Sequence, residues 1–68
     1  MNGGDVETFH QGDKWWNRIG GCPSVQGPYR TLLRAAEDGR NFARDIKTAH
    51  VIRGLDDEVV ESHNYSDN

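Results

Sequence analysis

Sixty-eight residues with 34% hydrophobic content, a net charge of −3 and a mean hydropathy of −0.88 admit one domain and exclude a second, because separate cores need roughly 100 residues each. The core must be thin, since a chain of about 60 residues buries only roughly 60% of the surface its unfolded form exposes. Charged residues make up 28% of the chain with the two signs close to balance, which excludes the strongly charged, core-poor composition of a disordered tail.

Val6-Glu7-Thr8-Phe9-His10 and Lys14-Trp15-Trp16-Asn17-Arg18-Ile19 mix β-branched and aromatic residues with polar ones around the turn-forming Gln11-Gly12-Asp13, and together they predict a β-hairpin. Trp15 and Trp16 must then point to opposite faces, one toward a core and one outward, where an exposed tryptophan is a candidate contact hot spot. Gly20 to Pro28 carries three glycines and two prolines, which reads as a loop, with room for a short extended piece around Val25.

A helix follows, with Thr31 as its N-cap. From Leu32 to Ile46, at 100° per residue, Leu32, Ala35, Ala36, Gly39, Phe42, Ala43 and Ile46 fall in one sector about 120° wide. Gly39 lies on the axis of that stripe and costs about 1 kcal/mol relative to alanine. A close approach of the helix to a sheet is the expected compensation.

Ala49-His50-Val51-Ile52-Arg53 and Glu58-Val59-Val60-Glu61-Ser62-His63 flank Gly54-Leu55-Asp56-Asp57 and predict a second hairpin. A two-residue turn sets His50 opposite His63 and Ile52 opposite Glu61, while a four-residue loop shifts the register by two. Val51 and Val60 then share one face and Ile52 and Val59 the other, so both faces offer something to bury. The expected fold is α+β, a small, mostly antiparallel sheet in ββαββ order with one helix packed across one face. Residues 1–68 form one domain, with 1–5 and 66–68 frayed.

The lone cysteine, Cys22, sits in the loop sequence Gly20-Gly21-Cys22-Pro23 and cannot close an internal disulfide, which points to a reducing, cytoplasmic setting. No apolar run reaches the roughly 18 residues of a membrane span, and Met1-Asn2-Gly3-Gly4-Asp5 lacks the basic start and apolar stretch of a signal peptide. No membrane contact is expected.

The charges are laid out unevenly. All eight basic residues lie between Lys14 and Arg53 against three acids, giving that stretch +5, with −3 on residues 1–13 and −5 on residues 54–68. Arg40, Arg44 and Lys47 share one flank of the helix stripe. Such an edge, with stacking from Trp15 or Trp16, could contact phosphates of a single-stranded nucleic acid; the plain alternative is a solvated face paired with the acidic hairpin. A pI near 5.4 favours the plain alternative.

Catalytic and metal chemistry find little support. His10, His50 and His63 are scattered, with no HxxxH or CxxC pair. Asp56, Asp57, Glu58 and Glu61 lack the ligand spacing of an EF-hand and sit where turns favour aspartate. No cofactor, metal or catalytic residue is expected. The uncovered sheet face and its edges suggest a non-enzymatic binding module that contacts a protein partner or a second copy of itself, with Trp16, Arg18, Arg40 and Arg44 as the candidate contact residues. A weak nucleic-acid binder using Arg40, Arg44 and Lys47 is the alternative.

Trp15-x-Asn17-Arg18, then Thr31 followed by Ala35 or Ala36, Gly39-Arg40 and Ala43-Arg44, then Thr48-x-His50-Val51-Ile52, Asp56 and Asn64-Tyr65-x-Asp67 resemble a family of small uncharacterised prokaryotic proteins. The resemblance spans most of the chain from about Phe9 onward. It implies a ββαββ-type α+β fold and carries no activity; a phage- or bacteria-encoded modulator of a host protein is the class it suggests. Two positions depart from the family pattern: Asp57 replaces the turn glycine, and Ser66 replaces the glycine after tyrosine. Aspartate accepts a positive φ less readily than glycine.

Overall fold

The computed structural model describes residues 4–22 and 24–66. Strands β1 (Val6–Gln11) and β2 (Lys14–Ile19) form the first hairpin, paired in register from Val6 with Ile19 to Gln11 with Lys14. Gly12 and Asp13 both take a positive φ, 62° and 67°, as a two-residue turn needs if its twist is to match that of the strands.

The expected ββαββ order is corrected to βββαββ. Gly and Pro residues pointed to a loop before the helix, yet Val25–Tyr29 forms a third strand, β3, antiparallel to β2 and irregular between Trp15 and Asn17. It tolerates Pro28 because it is an edge strand, where a missing N–H removes no bond from the sheet interior. Helix α1 runs Leu32–Ile46, followed by β4 (Ala49–Arg53) and β5 (Val59–Asn64), and the strand order is β3-β2-β1-β4-β5. Three neighbouring pairs are antiparallel, but β1 and β4 at the centre are parallel. The sheet is therefore mixed, because the helix is the crossover that brings β4 in beside β1, and a crossover delivers a parallel neighbour.

The helix ends as its residues dictate. The Thr31 hydroxyl accepts from the Arg34 N–H at 3.2 Å, and Lys47 closes the last turn in the left-handed region at φ 57°. Ala35, Gly39 and Ala43 are the buried centre of the stripe, whereas Ile46 at its end is exposed. The helix packs over β1, β2, β3 and β4 and does not reach β5.

In the second hairpin His50 faces His63 and Ile52 faces Glu61, after which a bulge sets Arg53 opposite Val59. The connection is longer than a two-residue turn and is closed by Gly54 N–H to Glu58 O at 2.8 Å and Asp57 N–H to Gly54 O at 3.0 Å. Asp57 takes φ 66°, the conformation that glycine adopts freely. Ile52 and His50 are the buried side of this hairpin, while Val59 and Val60 both remain exposed. At the N-terminal end, where fraying was expected, Gly4 and Asp5 are tied down: Asp5 O accepts from Gly20 N–H at 2.8 Å, and the Thr48 hydroxyl bonds Gly4 O at 3.1 Å. The remaining residues expected to fray, 1–3 and 67–68, lie outside the described residues, and Ser66 is exposed.

Candidate functional site

Strand alternation sorts the sheet into two faces. Val6, Thr8 and His10 of β1, Trp15, Asn17 and Ile19 of β2, and His50 and Ile52 of β4 share the helix side. The centre of that side is polar. The Asn17 amide donates to Ala35 O at 2.8 Å, the Thr8 hydroxyl donates to Asn17 Oδ1 at 2.5 Å, and His50 Nε2 lies 2.7 Å from the same hydroxyl. A hydroxyl has one proton. With that proton committed to Asn17, His50 must donate from Nε2, and its Nδ1 carries no proton.

Gly39 roofs this cluster. A Cβ placed there would lie 2.6 Å from Asn17 Oδ1, 2.6 Å from His50 Nε2 and 2.7 Å from Thr8 Oγ1. The glycine thus lets the helix backbone rest on three polar atoms. Thr8 and Asn17 are fully buried and His50 is 2% exposed; burial first, then the nearby His63 and Arg40, lower the His50 pKa against the opposing pull of Glu61. A threonine beside a histidine has the outline of a nucleophile and base, but here the Thr8 proton is committed to Asn17 and His50 donates to the hydroxyl. The trio joins β1, β2 and β4 beneath the helix.

On the face away from the helix, Glu7 is clamped by Arg18 at 2.8 Å from β2 and Arg53 at 3.1 Å from β4. The Arg18 hydrogen bond leads in lowering the Glu7 pKa, with Arg53 adding to it against the effect of burial. Arg18 also lies over the Phe9 ring at 4.7 Å. Phe9 pairs with Trp16, whose indole N–H donates to Gln11 O at 2.9 Å, and with Val25 these rings line a shallow groove of about 370 Å³. No element covers this face among the described residues.

The four expected contact residues do not form one surface. Trp16 and Arg18 share the uncovered face, whereas Arg40 and Arg44 are exposed on the helix, on the other side of the sheet. Arg40 lines a cleft of about 320 Å³ between the helix and β5, together with Leu33, His50, Glu61, His63 and Tyr65. Trp16 therefore lies on the opposite side of the sheet from Arg40 and Arg44, and Trp15, on the helix side, is engaged edge-on with His10 at 4.8 Å.

Reasoning from the residues passed over Glu7, Phe9 and Arg53 on the open face and Thr8 and Asn17 beneath the helix. The signal for the first group was the two-residue alternation of β1, which puts Glu7, Phe9 and Gln11 on one side. For the second it was the polar phase of the same strands, readable only once Gly39 is known to sit over it. Cys22 is exposed. No helix among the described residues is long and apolar enough to cross a membrane, and no group of three or more His, Cys, Asp or Glu is placed to hold a metal among them. Comparison of the chain with family models, with curated proteins and with solved structures finds no match.

Proposed function

We propose that this chain is a small non-enzymatic binding module that captures a protein through the uncovered face of its sheet. The observation that carries the reading is the patch of Trp16, Phe9 and Val25 flanked by Arg18, on a face that no element among the described residues covers. Large aromatic side chains beside an arginine are the residues that dominate protein interfaces. Lys14 also belongs to this face, opposite Gln11. An apolar anchor bordered by acidic side chains is the matching chemistry on the partner. A phage- or bacteria-encoded modulator of a host protein is the class of protein this reading proposes.

The test is capture from bacterial lysate with the wild type, Trp16→Ala and an Arg40→Glu/Arg44→Glu double variant. The expected result is a protein retained by the wild type and the helix variant and lost by Trp16→Ala, with folding of each variant checked by circular dichroism. Loss with the helix variant alone, accompanied by DNA or RNA binding in low-salt anisotropy, transfers the function to Arg40, Arg44 and Lys47 and sinks this reading.

A further inference from the structure

The two edges of the sheet are unlike. At β3 the sequence Gly27-Pro28 puts a residue without an N–H on the edge, which hinders strand addition. At β5 all six residues are exposed, and the helix does not reach the strand. The Tyr65 N–H points inward to Thr48 O at 3.1 Å. By the alternation of an antiparallel ladder, Glu61 and His63 also bond inward to β4, so the N–H and C=O groups of Ser62 and Asn64 point away from the sheet.

We infer that β5 is the self-association edge of this protein, pairing antiparallel with β5 of a second copy about a two-fold axis through Ser62. A two-fold that joins antiparallel edges stands perpendicular to the sheet and sets some residue opposite its own copy. With Ser62 at the axis, the two Ser62 residues exchange both backbone hydrogen bonds, and Asn64 of each chain meets the bulge at Val60 of the other, where the ladder ends.

The side chains select this register. Glu61 and His63 lie on the helix side, opposite Ile52 and His50, and are joined within the chain at 3.0 Å. The Ser62 axis sets Glu61 of each copy directly opposite His63 of the other, in a non-hydrogen-bonded pair with Cα atoms about 4.5 Å apart. Four side chains then alternate acid and imidazole. A shift of the axis by one residue puts Glu61 against Glu61, where like charges directly opposite destabilise a ladder, or His63 against His63, where both acid–imidazole contacts across the axis are lost. The contact is short and its dimer correspondingly weak, far below the area of a permanent interface. It uses an edge rather than the Trp16 face, so it stands or falls independently of the partner proposed above.

Sedimentation and light scattering over a range of concentrations up to about 1 mM at low salt test it, this being the weak end of measurable association. The wild type is expected to pass from monomer to dimer. Ser62→Pro removes an outward N–H that the monomer does not use, so it is expected to remain folded and monomeric throughout. Glu61→Lys and His63→Glu are each expected to weaken dimerisation about tenfold, and an equimolar mixture of the two is expected to regain it as a heterodimer. A wild type that stays monomeric, a dimer untouched by Ser62→Pro, or a mixture no tighter than its components overturns the proposal. Should Ser62→Pro fail to fold, the charge-swapped mixture decides alone.

Discussion

Glu7 and Thr8 are neighbours on β1, yet each is governed by the environment of its own face. On the covered face, polarity survives because it is enclosed: Thr8, Asn17 and His50 satisfy one another and the Ala35 carbonyl, and no buried side-chain polar atom among the described residues lacks a partner. On the open face, polarity survives because it is solvated, and Glu7 holds two arginines that are 48% and 30% exposed. Enclosure makes each atom of the first set expensive to remove. Solvent makes each member of the second cheap to lose.

The sharpest way to break this contrast is at Gly39. Gly39→Leu forces a side chain into a position where even its first carbon meets three polar atoms within 2.7 Å, and a loss of about 3 kcal/mol or more is expected. The roughly 1 kcal/mol that a helix gains on replacing glycine does not offset it. A domain this small rarely holds more than about 3–5 kcal/mol, so the variant should be largely unfolded by circular dichroism at 25 °C. A melting temperature at or above that of the wild type refutes the close-packing account.

Next in size is Thr8→Val, which keeps the shape and deletes the hydroxyl. His50 Nε2–H and Asn17 Oδ1 then face a methyl group, at an expected cost of about 1–3 kcal/mol in urea unfolding. Thr8→Ser should restore most of it. Equal stability of the valine variant would mean that the trio contributes packing alone.

His50 supplies the third test, through pH. Its folded pKa lies below the ordinary value of 6.5, so the folded chain resists a proton that the unfolded chain accepts. Above 6.5 there is no penalty; as pH falls below 6.5, stability drops by up to about 1.4 kcal/mol per unit until the folded pKa is reached. Arg40 and His63 face the ring and add to the penalty, and Glu61 opposes it. His50→Gln can still donate to Thr8 and should flatten this limb of the stability profile. An unchanged slope between pH 6.5 and 5 in that variant assigns the dependence to another group.

How much of this was legible in the residues follows from the range of the interactions involved. The helix bounds, the Thr31 cap and the opposite facing of Trp15 and Trp16 are set by neighbours a few positions apart, and all are found as expected. The pairing of His50 with His63 was one of two registers that turn chemistry allowed, and it is the one adopted, with a bulge added. The parallel pairing of β1 with β4 joins residues more than 40 positions apart, and no local pattern announces it. β3 was hidden by Gly27 and Pro28, which mark turns everywhere except on an edge. The contact residues Trp16 and Arg18 could be grouped by alternation, but Arg40 and Arg44 could be separated from them only by knowing which face the helix covers.

The smallest expected effect lies on the open face and completes the contrast. Glu7→Gln keeps an acceptor for Arg18 but removes the charge shared with Arg53, and at pH 7 it should lower stability by no more than about 1 kcal/mol, because all three groups are partly solvated. The sign of its pH dependence separates it from His50. The Glu7 pKa is lowered below 4.5 when folded, so its contribution is present above 4.5 and is lost as pH falls through the lowered value. Wild type and Glu7→Gln should therefore differ at pH 7 and draw together as pH falls below 4.5, below the window in which His50→Gln acts. A difference that does not diminish as acid protonates Glu7 would show that it acts by shape rather than charge, and the two faces would then be held by the same kind of force.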